Sequence, residues 1–83
     1  MAEIHIQIRI DGAGFPSPEE LNQRYALEDA IDEAGIGQIV DAGGGMGVMD
    51  IFVEVADPSA AQPAVTAIVQ RVGLADRATV RVA

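Results

Sequence analysis

The chain is expected to fold as an α+β sandwich of two layers, a four-stranded antiparallel sheet with two helices on one face, in the element order βαββαβ. Three observations carry this expectation. Ile4, Ile6, Ile8 and Ile10 alternate with His5, Gln7 and Arg9, the period of a strand with one buried face. Two segments open on a cap residue followed by proline, Ser17-Pro18 and Asp57-Pro58, and close on glycine followed by an aliphatic residue, Gly35-Ile36 and Gly73-Leu74. The two halves of the chain therefore echo each other, each running strand, capped helix, glycine stop, strand.

Taken in order, Ile4 to Ile10 forms the first strand, and Asp11 to Pro16 is rich in turn formers. Ser17 caps the first helix, Pro18 suits its first position, and Glu20 closes a capping box with Ser17. Leu27, Ala30, Ile31 and Ala34 share one helical face. Gln38 to Ala42 reads as a short strand, Gly43 to Gly47 as a glycine-rich turn, and Met49 to Val55 as a strand with Ile51, Val53 and Val55 inward. Ala61, Val65, Ile68 and Val72 make the apolar stripe of the second helix, where Pro63 presses on the carbonyl four residues back and predicts an irregular first turn. The last strand spans Arg77 to Val82, with Ala78, Val80 and Val82 inward. This is the layout of a split βαβ, or ferredoxin-like, domain, whose sheet order is 4-1-3-2.

The chain has 83 residues, room for a single domain over 1–83 whose modest core would gain from an association partner. Thirteen acidic residues against five arginines and no lysine leave a net charge of −8, which repels nucleic acid and anionic membrane surfaces. A basic or neutral partner suits this charge better, while the short chain separately leaves pairing with a second copy open. Without cysteine or lysine there is no disulfide, thiolate nucleophile, cysteine metal site or Schiff-base amine. No stretch approaches a membrane span, and Met1 to His5 lacks the pattern of a secretory leader, so a cytoplasmic location is expected.

The sheet face turned away from the helices is the first candidate site. It would carry His5, Gln7 and Arg9, then Asp50, Phe52 and Glu54, then Arg77, Thr79 and Arg81, with Arg9 near Asp50 and His5 near Glu54 as cross-strand pairs. The bland reading is a solvated face. Phe52, apolar at the centre of a polar surface, points instead to a dimer or partner contact.

Gly43, Gly44, Gly45 and Gly47 form the second candidate, a loop whose bare N–H groups could receive an anion, although it matches no phosphate motif. Arg24 stands one turn before Glu28, either as an ordinary helical ion pair or as a cation reaching the glycine loop or an acidic ligand. His5 is the sole histidine, which excludes a histidine-rich metal site. Glu3, His5 and Glu54 could meet for acid–base work, but an exposed ion pair is the commoner outcome. The acids of the first helix, among them Glu19, Glu20, Glu28, Asp29, Asp32 and Glu33, form either a solvated face or a steering surface for a basic partner.

The run Arg24-Tyr25-Ala26-Leu27-Glu28, Gly35-Ile36-Gly37, Asp41 to Gly47 and Asp50-Ile51-Phe52 resembles a group of small uncharacterised bacterial proteins that share Arg, Leu-Glu, Gly-x-Gly and a triple glycine before a strand. Some of these look like immunity proteins of toxin systems. More distantly the layout resembles ACT-like regulatory domains, which implies dimerisation and small-ligand binding, although Asp11 to Gly14 is only a generic turn where such domains bind. The leading expectation is a non-enzymatic protein-interaction or dimerisation module without a cofactor. An ACT-like ligand sensor comes second, and an acidic inhibitor of a basic toxin or an enzyme third.

Overall fold

The computed structural model describes residues 2–11 and 15–83. The order is β1 (Ala2–Arg9), α1 (Pro18–Ala34), β2 (Gln38–Gly45), β3 (Val48–Val55), α2 (Pro58–Arg71) and β4 (Ala78–Val82). The strands form one antiparallel sheet in the order β2-β3-β1-β4, the 4-1-3-2 order read from the other edge. The fold is a two-layer ferredoxin-like α+β sandwich.

Local chemistry starts and stops the helices. The Ser17 hydroxyl accepts from the Glu20 amide at 3.2 Å while the Ser17 amide donates to Glu20 Oε1 at 2.8 Å, a complete capping box. Gly35, at φ 66°, ends α1. Asp57 caps α2 by accepting from the Ser59 amide at 3.1 Å, with Pro58 in the first helical turn. The irregular first turn expected from Pro63 is not found, and α2 is continuous from Pro58. Pro63 removes only the bond to the Ser59 carbonyl, and both residues lie on the exposed side of the helix.

The core lies between sheet and helices. Ile4, Ile6 and Ile8 from β1 and Met49, Ile51, Val53 and Val55 from β3 meet Leu27, Ile31, Val65, Ile68 and Val69. Val82, expected inward, is 45% exposed at the end of an edge strand that has a neighbour on one side only.

The hairpin departs from expectation in a way that matters for the site. Gly43, Gly44 and Gly45 are strand residues, paired with Asp50, Met49 and Val48, and the turn is Met46-Gly47 alone. Both turn residues have positive φ, 55° and 85°, as a type I′ turn requires, and glycine adopts that conformation freely. The two-residue turn fixes the register of β3 against β2. Further along, a bulge between Ile39 and Asp41 inserts Val40, so that Val40 and Asp41 together oppose Phe52.

Candidate functional site

Alternation along β1 and β3 sends one set of side chains to the helices and the other to the uncovered face. His5 and Phe52 are directly opposite each other at the centre of that face. Their rings stack with centroids 4.5 Å apart and planes 4° from parallel. His5 Nε2 donates to Asp50 Oδ1 at 2.8 Å, and Gln7 Nε2 approaches the same oxygen at 3.5 Å. With that tautomer, His5 Nδ1 is left as an acceptor, and Arg81 Nη2 approaches it at 3.4 Å from the neighbouring strand. Arg81, His5, Asp50 and Gln7 thus form one chain of polar contacts against Phe52, holding the imidazole in one orientation.

Two expected pairs do not form. Arg9 stands opposite Val48 with Asp50 on its diagonal, but its guanidinium donates to the Asp76 carbonyl instead. His5 hydrogen-bonds Asp50 rather than Glu54, although both are its diagonal neighbours across the strand pair, and Glu54 faces Glu3. Two carboxylates directly opposite repel, so Glu3, His5 and Glu54 do not gather into an acid–base group. The bulge turns Asp41 onto this face beside Val40, whereas simple alternation from Gln38 places Val40 there but sends Asp41 to the core.

Arg77 leaves this face altogether. It precedes β4, and its side chain turns to the start of α1, where Nη1 donates to Glu20 Oε2 at 2.8 Å and Nη2 pairs with Asp11. The attraction is Glu20, buried at 7% exposure although it counted among the surface acids of α1. Glu20 also accepts from the Asp11 amide at 2.9 Å. One carboxylate therefore ties the end of β1, the cap of α1 and the approach to β4.

The Ser17 and Asp11 amides, then the Ser17 hydroxyl and the Arg77 charge, hold the Glu20 carboxyl below the usual value for a glutamate against a smaller opposing effect of burial. A folded value below the unfolded one means that the ionised form stabilises the fold. That contribution is fully present above the unfolded value of about 4.3 and is lost as pH falls through the folded value. Urea unfolding of the wild type and Glu20→Gln between neutral pH and pH about 3 is expected to show a stability gap that narrows as the acid range is entered. A gap of constant size would remove Glu20 from the acid response.

The second candidate group is only partly brought together. Gly44, Gly45 and Arg24 share a cleft, while Gly43 takes its place on the open side of the sheet opposite Asp50. Gly47 belongs to the turn, and its carbonyl accepts from the Ile10 amide at 2.9 Å. Arg24 lies 3.5 Å from Glu28 as an (i, i+4) pair. Among the described residues, no group of three or more His, Cys, Asp or Glu is placed to hold a metal ion, and no helix is long and apolar enough to cross a membrane.

Of the residues on the open face, Asp41 was hidden by the bulge, and the Glu20 tie had one legible half, the Ser17-to-Glu20 spacing. No protein-family model, curated protein or solved structure matches the chain.

Proposed function

We propose that the chain is a non-enzymatic interaction module that pairs with a second copy of itself through the open sheet face. One rung of the sheet supports this reading. Across the four strands, Asp41, Phe52, His5 and Arg81 stand in line, each partnered with the next. When two such sheets face each other about a twofold axis parallel to the strands, strand order reverses, so β2 lies over the partner copy's β4 and β3 over its β1. Asp41 then meets Arg81 of the other copy at both ends of the rung, and Phe52 meets His5 at its centre. The next rung is compatible too, since Asp50 meets Gln7. Glu3 and Glu54 fall on the outer rung, where solvent screens their repulsion.

The face measures about four strands by about six residues, roughly 400 Å² in projection. A standard interface buries about 800 Å² per partner. The dimer is accordingly weak, and aligned charges matter more to it than apolar area.

Sedimentation velocity over a concentration series tests the pairing. The wild type is expected to dimerise reversibly, whereas Asp41→Arg and Arg81→Asp each stay monomeric because like charges then meet twice. An equimolar mixture of the two variants restores dimers, since every contact again joins opposite charges. A wild type that remains monomeric at the highest attainable concentration, or a mixture that stays monomeric while the wild type dimerises, refutes the arrangement.

A further inference from the structure

Arg24 lies where α1 passes the glycine end of β2. Together with Gly44, Gly45, Phe15, Pro16 and Met49 it lines a cleft of about 200 Å³. Its side chain is only 18% exposed. Among the described residues its Nε is closed to solvent and has no hydrogen-bond partner, the Glu28 carboxylate supplying charge at 3.5 Å but not a bond. The Arg24 guanidinium carbon lies over the Tyr25 ring, 6.0 Å from its centroid. A guanidinium with five donors, largely withdrawn from water, favours a carboxylate that can accept from two of them at once.

Gly44 and Gly45 form the other wall of the cleft. Gly44 pairs with Met49, whose side chain faces the core, and a Cβ there would lie 3.0 Å from the Val48 carbonyl oxygen and 3.5 Å from Met49 Cγ. The two-residue turn makes Gly45 and Val48 the hydrogen-bonded pair beside it, and alternation along an antiparallel ladder then turns the N–H and C=O of Gly44 to the free edge of the sheet. One cation and one open edge N–H therefore stand beside the apolar walls of Phe15, Pro16 and Met49.

We propose that this cleft binds a small monocarboxylate with an apolar tail, its carboxylate on Arg24 and its tail against Met49 and Pro16. A phosphate suits it less, because Glu28 beside the guanidinium repels a second negative charge and the walls are apolar.

Titration of the full chain with sodium benzoate at constant ionic strength, followed by ¹H–¹⁵N NMR, is the test, with inorganic phosphate as the comparison. Benzoate is expected to shift the Arg24 Nε–H, Gly44 and Gly45 saturably, with a dissociation constant in about the millimolar range. Arg24→Gln should weaken this by about tenfold or more. Glu28→Gln should tighten it, because it removes the competing carboxylate, and loss of folding cannot mimic a change of that sign. Absence of saturable shifts, shifts unchanged in Arg24→Gln, or phosphate shifts equal to those of benzoate would each overturn the proposal.

Discussion

Replacing Ile6 with alanine lowers the free energy of unfolding by about 2–5 kcal/mol. Ile6 is wholly buried on β1, opposite Ile51 on one side and Val80 on the other. The three removed carbons leave a space between sheet and helices that neighbours on two strands cannot fill without losing their own pairing. A chain of this length has a total stability of about 4–12 kcal/mol, so one substitution removes a large share of it. Urea unfolding measures the loss as a lowered midpoint at nearly constant slope. The informative control is Phe52→Ala, since Phe52 belongs to the same sheet but the opposite face. There the loss is mainly the stacking on His5, about 0.5–1.5 kcal/mol. Equal losses at the two positions would contradict the assignment of faces on which the open-face site depends.

Gly37→Ala is the second large effect, and it acts through the backbone. A Cβ on Gly37 would stand 2.3 Å from the Glu54 carbonyl oxygen and 2.9 Å from Val55 Cγ1. Val55 can shift a methyl, but the carbonyl belongs to β3, so β2 must move away from the strand it pairs with. Strain of this kind costs about 1–3 kcal/mol or more, and for a domain of this size the melting temperature is expected to fall by at least about 4 °C. Gly43→Ala is the comparison, because a Cβ there meets nothing within 4 Å. If calorimetry gives both variants the same small shift, the close approach at Gly37 is not as described. Because Gly37 leads directly into β2, the same substitution is expected to weaken the self-association that relies on Asp41.

Much of the candidate site was legible from side-chain alternation. His5, Gln7, Arg9, Asp50, Phe52, Glu54 and Arg81 all fall on strand positions opposite to the buried ones, and two-residue periodicity reads that directly. The pairings among them were less legible, because β1 and β3 are joined through α1 and β2 rather than by a turn, and alternation does not say which diagonal neighbour a side chain reaches. The register of β2 in turn depends on where the hairpin turns. Placing the turn across Gly43 to Gly47 shortens β2, whereas the structure turns only at Met46-Gly47 and carries the three glycines as strand. Arg77 shows a second limit. Its side chain is long enough to leave the alternating pattern, and the carboxylate that draws it away, Glu20, is 57 positions distant in the chain.

By itself the sequence determined the element order, the two capped helices and the buried faces of β1, β3 and β4, because these rest on contacts within a few residues: a hydroxyl three positions from an amide, an isoleucine at every second place. Only the tertiary structure decided the rung of Asp41, Phe52, His5 and Arg81, the burial of Glu20 and the cleft beside Arg24. Each of these depends on which strand lies beside which, and on a bulge and a two-residue turn whose effect is felt across the whole sheet. A slip of one residue in register would carry every side chain to the other face.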